Sequence, residues 1–449
     1  MNRIQVGLKN RVMILRVILK NFLSFDDEVQ FDMFPNFKKT SLTNHIYKVS
    51  DNAAVLKMAA IYGANGAGKT NLLKGINVLK WITTIKQYID KDNVMQLFYG
   101  LKADVAENPM ELGVEFVTKG GVPFIYSVAI SKEGITSESL YVSGLGVKEN
   151  KMVFERKGTC IKYDVQPSPE LADMIVAWVK MNPFSSLFTI NNDMPVLRDR
   201  NIANAYMWFS TELLVLDIHS LNQTLITSLK TNEEMRNFAS EFLRAIDLGV
   251  SDVKVETENF EDWAVKNNVS NEYRESVRNM PRDGILNGVF NFRNMYDISI
   301  ENGIQKISRL LFEQFGKNGY STNMDINAQS DGTVRLLSLI PSLYAAVKTK
   351  STVIIDEIDH SIHPHLVRNM VRYFSKKDTK GQLIFTTHQT CLLNQEFIRT
   401  DEVWMAEKHE GSTKIYSLND FNIHHTKNIE NGYLEGRYSA IPFIGEFNF

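Results

Sequence analysis

Short apolar runs that end at turn residues dominate both ends of the chain, and they predict a fold of mixed strands and helices. Continuous or alternating apolar positions predict strands over residues 14–22, 29–33, 58–62, 351–355 and 382–387. The stretch 71–79, directly after the third of these, has apolar residues at helical spacing instead. Two further runs, 111–117 and 124–130, flank the turn Lys119-Gly120-Gly121 and predict an antiparallel hairpin.

The pattern changes in the middle of the chain, where helical spacing dominates residues 171–179 and 235–246. Polar and charged residues fill the stretch from Glu256 to Arg282, which favours a mobile segment there. We therefore predict a mostly helical insertion over residues 161–320. Core packing rather than base stacking is the favoured role of its tryptophans, Trp178, Trp208 and Trp263.

Composition narrows the class of protein. The 449 residues are 44% hydrophobic, which is enough for a packed core and for two or three domains. The formal net charge is only −2, so contact with nucleic acid would need a local basic patch. Two cysteines, Cys160 and Cys391, lack C-x-x-C spacing, which excludes a disulfide framework or a zinc ribbon and favours a reducing cytoplasm.

The N-terminus lacks a secretory signal, and no apolar stretch approaches the ~18 residues of a membrane span, so we expect no membrane partner. Met13 begins the first convincing strand. Residues 1–12 are therefore expected to be an N-terminal extension, and the sequence leaves open whether Met1 or Met13 is the true start.

The segment from Gly63 to Thr70 fits the phosphate-loop pattern G-x-x-x-x-G-K-[ST], between a predicted strand and a predicted helix. Glycines let backbone N–H groups turn towards the phosphates, and the following helix presents its positive end to them. Lys69 would reach the β- and γ-phosphates, and the Thr70 hydroxyl would be a ligand of Mg²⁺. The alternative is a glycine-rich turn without a ligand. The residues assigned to ATP are Gly63, Asn65, Gly66, Gly68, Lys69 and Thr70.

Two later runs end in polar residues that suit the same site. Residues 351–355 form an apolar run that leads to Asp356 and Glu357, as a buried parallel strand would deliver them. Asp356 would hold the Mg²⁺ shell, and Glu357 would polarise the attacking water. The run 382–387 ends in His388, for which we expect a contact with the γ-phosphate. Without the phosphate loop, an apolar run that ends in two acids would be a weak signal, because strands often end in solvated acids. Together with the phosphate loop, it becomes a strong one.

Together, the phosphate loop with Asn65, the Asp356-Glu357 pair and His388 resemble the ATPase heads of the ABC, SMC and RecF-like superfamily. The resemblance implies an α/β fold, with a mixed sheet, helices and an antiparallel β lobe. It also implies a signature segment supplied by a second subunit, for which Ser330, Asp331 and Gly332 are the candidates. This segment departs from the usual Leu-Ser-Gly-Gly-Gln form, and an N-cap serine followed by a turn glycine is the simpler alternative.

The chain ends, 21–25 and 432–444, resemble the RloA/AbiL group of bacterial AAA-type ATPases, as well as the PARIS AriA, Septu PtuA and OLD ATPase heads. This resemblance implies an ATP-hydrolysing subunit that forms a homodimer or higher oligomer through an ATP sandwich. It further implies regulation of a separate effector, such as a Toprim-like nuclease, during anti-phage defence or abortive infection, with a phage trigger.

On this basis, residues 13–160 form an ATPase N-terminal lobe, and residues 321–449 form a C-terminal lobe with the signature segment, Asp356-Glu357 and His388. The alternative function is a RecF- or SMC-like DNA repair or maintenance ATPase. That alternative would need a basic surface, for which the candidates are Lys38, Lys39, Lys376, Lys377 and Lys380.

Overall fold

A computed structural model describes residues 11–50, 53–193, 199–217, 225–246, 249–279, 285–289, 295–376, 379–421 and 428–441. Its strands are β1 Met13–Lys20, β2 Val29–Asp32, β3 Ile46–Ser50, β4 Ala53–Leu56, β5 Met58–Gly63, β6 Met110–Val117, β7 Pro123–Ser131, β8 Gly134–Val142, β9 Lys151–Lys157, β10 Cys160–Tyr163, β11 Leu213–Leu216, β12 Val250–Asn259, β13 Ile285–Val289, β14 Met295–Glu301, β15 Ile304–Phe315, β16 Ser321–Asp325, β17 Thr352–Ile355, β18 Gln382–Thr386, β19 Val403–His409 and β20 Ser412–Ser417.

The helices of the described residues are α1 Lys69–Thr84, α2 Pro169–Met181, α3 Leu187–Asp193, α4 Arg200–Met207, α5 Leu225–Thr231, α6 Glu233–Ala245, α7 Phe260–Lys266, α8 Asn271–Arg278, α9 Asp331–Tyr344, α10 Pro364–Phe374 and α11 Ile429–Leu434. None of them is long and apolar enough to cross a membrane. The chain divides into two compact units. The first comprises 1–218, 345–359 and 367–449, and the second comprises 219–344 and 360–366.

A six-stranded sheet in the order β11-β17-β18-β5-β19-β20 forms the centre of the first unit. All neighbours are parallel except β19 and β20, which are antiparallel. Every residue of β5, β17 and β18 is buried, as expected for strands covered on both faces. The strands predicted over 58–62, 351–355 and 382–387 are therefore confirmed, and their carboxyl ends meet at one edge of this sheet.

The first unit also contains a seven-stranded antiparallel sheet in the order β10-β9-β8-β7-β6-β1-β2. It includes the predicted hairpin, because β6 and β7 pair in register from Met110↔Ile130 to Val117↔Pro123. An aromatic core lies against it, in which the rings of Phe116 and Trp208 stack at 4.1 Å. Trp208 is fully buried, which confirms its predicted core role.

The second unit is built on another antiparallel sheet, in the order β12-β15-β14-β13 with β16 paired to β15. The predicted helices over 171–179 and 235–246 are present as α2 and α6. The sheet of the second unit was not predicted from the sequence. The polar stretch predicted to be mobile includes the end of β12, α7 and α8. Its strand was missed because it is mostly polar: Lys254, Glu256 and Glu258 alternate with Val253, Val255 and Thr257, and only Val250 and Val253 of the strand are buried.

Candidate nucleotide-binding site

The phosphate loop connects the central strand β5 to helix α1, and close neighbours or a positive φ favour glycine at positions 63, 66 and 68. Gly63 has φ 154°, and a Cβ there would lie 2.3 Å from the carbonyl oxygen of Ala406 on β19. Gly68 has φ 102°, in the left-handed region, and it directly precedes α1. Gly66, with φ 78°, has open space around its Cα. The loop therefore has a backbone conformation that residues other than glycine rarely adopt.

Lys69 is folded back onto this loop. Its Nζ donates to the carbonyl oxygens of Gly63 at 2.8 Å and Ala64 at 3.1 Å, and the residue is only 6% exposed. Burial lowers the pKa of Lys69, while the carboxylates of Glu357 and Asp356 act in the opposite direction. A buried ammonium group held by two neutral carbonyls is ready to exchange them for anionic oxygens.

The structure brings together Thr70 and Asp356, the two residues that the sequence analysis assigns to Mg²⁺. The Thr70 hydroxyl donates to Asp356 Oδ2 at 2.8 Å, which joins the start of α1 to the end of β17. The other oxygen, Oδ1, accepts a hydrogen bond from the Thr386 hydroxyl at 2.6 Å. Thr386 Oγ1 also accepts from the backbone N–H of Glu357 at 2.7 Å. One threonine at the end of β18 thus holds the Asp356 carboxylate and the backbone of Glu357.

Glu357 has φ 47°, a left-handed conformation that is uncommon for a residue with a side chain. Such strain is retained where surrounding contacts fix the backbone, and here the bond to Thr386 does so. His388 lies near the carboxylates of Asp356, Glu357 and Asp359. Its backbone N–H donates to Asp359 Oδ2 at 3.3 Å. Partial burial of its ring and the charge of Lys69 lower the pKa of His388, which favours the neutral imidazole.

The candidate signature segment belongs to the second unit, whereas the phosphate loop belongs to the first. The Ser330 hydroxyl accepts from the Thr333 N–H at 3.2 Å, which is the N-cap geometry of α9. A Cβ on Gly332 would lie 2.8 Å from the carbonyl oxygen of Ser361, so close backbone packing accounts for this glycine. Asp331 is the first residue of α9. A role of these residues at a partner's nucleotide stays a prediction.

Two cavities flank the loop. One of about 430 Å³ is lined by Asn65 and Gly66 together with Ser439 and Ala440 near the end of the chain. The other, of about 270 Å³, is lined by Thr70 and Asp356. The last three residues of the resemblance at 432–444 lie outside the described residues.

Asp217, which also lines the 270 Å³ cavity, was not found from the sequence. It follows β11, whose Leu216 pairs in parallel with Ile355, so Asp217 and Asp356 follow neighbouring strand ends. The signal was available, since Leu213–Leu216 is another apolar run that ends in an acid.

A polar contact that the sequence did not indicate braces the loop from outside. The Thr413 hydroxyl donates to Ala67 O at 3.0 Å and also lies 2.8 Å from Ser24 Oγ. Ser24 in turn accepts from the Asn71 side chain at 2.9 Å. A Cβ on Gly68 would lie 2.2 Å from Thr413 Oγ1 and 2.9 Å from Ser24 Oγ, so the brace leaves room only for glycine.

Two of the lysines considered for DNA contact, Lys39 and Lys376, interact with other residues of the chain. Lys39 donates to the Thr400 hydroxyl, and burial lowers its pKa. The Nζ of Lys376 lies 4.7 Å from the ring centre of Tyr373. Lys377 lies outside the described residues.

The arrangement fits a nucleoside triphosphate with Mg²⁺. The glycine loop and buried Lys69 suit an anion at the start of a helix. The joined hydroxyl of Thr70 and carboxylate of Asp356 are hard oxygen donors of the kind that Mg²⁺ prefers. The two candidate ligands of Mg²⁺, Thr70 and Asp356, are therefore in contact with each other.

For the ATP hydrolysis that the sequence predicts, Thr386→Val should lower the rate by about 10- to 100-fold, the typical effect of losing a residue that orients a metal ligand, here the candidate ligand Asp356. The substitution keeps the shape of the side chain and removes the bonds to Asp356 and Glu357. Thr386→Ser, which keeps the hydroxyl, should restore most of the rate. Titration of Mg²⁺ against nucleotide binding should show a weaker apparent affinity for Val and not for Ser. Equal loss in both variants would mean that Thr386 acts only through packing.

Three solved structures of SMC heads resemble this fold at low sequence identity. They are the SmcHead bound to the C-winged helix domain of ScpA (13% identity, TM-score 0.48), the SMC head domain from Thermotoga maritima (11%, 0.40) and an Smc head domain with an extended coiled coil bound to the C-terminal domain of ScpA derived from Pyrococcus furiosus (11%, 0.42). Each similarity covers 90% of this chain, and 97%, 98% and 96% of the respective structures. A search of curated protein sequences found no match.

A family model described as "AAA domain, putative AbiEii toxin, Type IV TA system" matches residues 58–394. The match begins at β5 and extends beyond His388, so it contains the phosphate loop, Asp356 and Glu357. With three quarters of its length in this match, the chain belongs to this family of AAA domains.

Proposed function

We propose that this protein binds and hydrolyses ATP at the site around Lys69, and that two copies close over the nucleotide. The observation that carries the proposal is the hydrogen-bonded series from Thr70 through Asp356 and Thr386 to Glu357. It joins the helix after the phosphate loop to two parallel strand ends. Metal, nucleophile and phosphate groups would then be held by rigid elements of one sheet.

Each residue has a distinct task in this proposal. Lys69 exchanges the carbonyls of Gly63 and Ala64 for oxygens of the β- and γ-phosphates. When bound, Mg²⁺ neutralises charge that develops on the transferred phosphoryl group. Glu357 orients a water and accepts its proton. His388 donates one ring N–H to the γ-phosphate.

Closure by a second copy is proposed because one chain carries both a phosphate loop and a candidate signature at the start of a helix. Ser330 and Gly332 of one subunit would contact the γ-phosphate held by Lys69 of the other. A helix of 14 residues begins at Asp331, and its positive end would favour the anion. Because ATP contacts both chains, its binding shifts the equilibrium towards the dimer.

The biological role proposed for this dimer is control of a separate effector in anti-phage defence. The resemblance of residues 21–25 and 432–444 to defence ATPases supports it. The destructive chemistry would belong to the partner, with a Toprim-like nuclease as the candidate. A phage component would act as the trigger.

Mixing two inactive variants tests whether the site is shared. Lys69→Met disables the phosphate half and Ser330→Arg disables the signature half, so each homodimer should be inactive. A mixed dimer has one intact site, formed by Lys69 of one subunit and Ser330 of the other. Half of the dimers in an equimolar mixture are mixed, so the ATPase rate should return to about a quarter of wild type.

A matched mixture controls for non-specific rescue. Lys69→Met combined with Glu357→Gln places both lesions in the same half-site, so mixed dimers contain no intact site and no activity should return. Melting temperatures establish that Ser330→Arg, which changes an N-cap, remains folded. Failure of the first mixture to exceed the second would refute a site completed by the partner.

A further inference from the structure

The second unit contains a cavity of about 410 Å³ that is separate from the phosphate loop. It lies where the hairpin of α7 and α8 packs on one face of the sheet formed by β12, β15 and β14. Three aromatic residues, Trp263, Tyr273 and Tyr296, contribute to its wall, and Ile307, 1% exposed, lies at its base. Neither the family description nor the proposed ATPase chemistry assigns a role to it.

The aromatic rings surround the cavity at different angles. Trp263 and Tyr296 have ring centres 5.6 Å apart and planes inclined at 51°. The Tyr296 hydroxyl donates to the Tyr273 hydroxyl at 3.1 Å, which connects the sheet to α8. Burial raises the pKa of Tyr296, so its phenol stays protonated. Several aromatic rings that line one cavity are a surface on which an organic cation can bind.

The register of the strands places an excess of acids on the same face of the sheet. Residues directly opposite in antiparallel strands point to one face, so the pairs Glu256↔Arg309, Glu258↔Ile307 and Leu311↔Asp325 share the face of the cavity. Arg309 donates twice to Glu256 Oε2, at 2.9 and 2.5 Å. It also lies 3.3 Å from Glu258 Oε1.

Charge on this face is therefore unbalanced. Lys254 forms an ion pair with Glu313 on the same face at 3.2 Å. The acids Glu256, Glu258, Glu313 and Asp325 outnumber the bases Lys254 and Arg309 on this face, and Asp252, which pairs opposite Glu313, adds a further carboxylate. Asp325 lines the cavity directly, and its Oδ1 accepts from the Asn327 N–H at 3.1 Å.

We propose that this cavity binds an organic ammonium group, which Trp263, Tyr273 and Tyr296 surround and Asp325 neutralises. Its volume suits a small amine or the end of a lysine side chain. Arg309 and Asp325 are the charged residues that line the cavity, and Arg309 is already paired with Glu256 and Glu258, so the Asp325 carboxylate favours a cation over an anion or a neutral base. The ammonium group comes either from a free amine or from a lysine of a protein partner.

Calorimetry on the full chain with two matched pairs of probes tests the proposal. Choline is compared with its neutral carbon isostere 3,3-dimethyl-1-butanol, and N-acetyl-lysine-methylamide with N-acetyl-norleucine-methylamide. The cation of at least one pair should bind at least about fivefold more tightly than its isostere, as cation–π contacts predict. Preference within the first pair identifies a free amine as the source, and preference within the second identifies a lysine side chain.

Variants then assign the binding to this cavity. Asp325→Asn keeps the size of the side chain and should lower the affinity for the cation about fivefold or more. Trp263→Leu should lower it by a similar factor. Glu241→Gln, which changes an exposed acid on α6, should leave the affinity unchanged. Lys69→Met should also have no effect, so the result does not depend on ATP. Equal affinity for the cation and its isostere in both pairs, or no binding of either cation, would overturn the proposal.

Discussion

Glu357→Gln should lower the rate of ATP hydrolysis by about 10²- to 10⁴-fold, since loss of a general base has effects of this size. The amide keeps the shape of the side chain and cannot accept the proton of the attacking water. ATP binding should persist, because Lys69 and Thr70 are unchanged. In sedimentation velocity with ATP and Mg²⁺, this variant should therefore accumulate as an associated species, whereas wild type should return to smaller species as ATP is consumed.

Glu107→Gln provides the matched control, because Glu107 is an exposed acid of the first unit that is not part of the phosphate loop. It should hydrolyse ATP at the wild-type rate. If Glu357→Gln hydrolysed ATP normally, the assignment of Glu357 would be wrong. If it lost hydrolysis but associated no more than a variant that cannot bind ATP, the sandwich would be wrong while the catalytic assignment stood.

Lys69→Met should weaken ATP binding by about one to two orders of magnitude, which is the range expected for a lost hydrogen bond to a charged group. Methionine keeps most of the length of the lysine side chain and removes its ammonium. The variant should fold, because the bonds from Lys69 to Gly63 and Ala64 are made within the loop itself. Binding of a fluorescent ATP analogue measures the effect, and ATP-dependent association should disappear with it.

Lys91→Met tests whether any loss of positive charge would have the same result, since Lys91 is exposed and outside the loop. Its ATP affinity should equal that of wild type. Wild-type affinity in Lys69→Met would exclude the proposed phosphate contact and would leave the glycine loop as a turn without a ligand.

The centre of the fold was predictable because its strands are covered on both faces. Such strands have uninterrupted apolar runs, and β5, β17 and β18 were predicted for this reason. The phosphate loop added a fixed spacing of glycine, lysine and threonine. The contact between Thr70 and Asp356 then followed from the rule that parallel strands end at one edge.

Thr386 could not be found in the same way. It is an ordinary threonine at the end of an apolar run, and its importance arises from the register of β17 and β18, with Ile355 opposite Phe385. No local pattern sets that register. The sheet of the second unit was missed for a related reason, since its pairs, such as Glu256 and Arg309, join residues that are 53 positions apart.

The brace of Ser24, Gly68 and Thr413 has an evolutionary consequence. Atoms of all three residues occupy one small volume, although their positions are spread over most of the chain. A larger residue at any of them would need a smaller one at another. Among homologous chains, substitutions at these three positions should therefore be correlated, and a chimaera that exchanges the region of Thr413 without that of Ser24 should lose nucleotide affinity before it loses its fold.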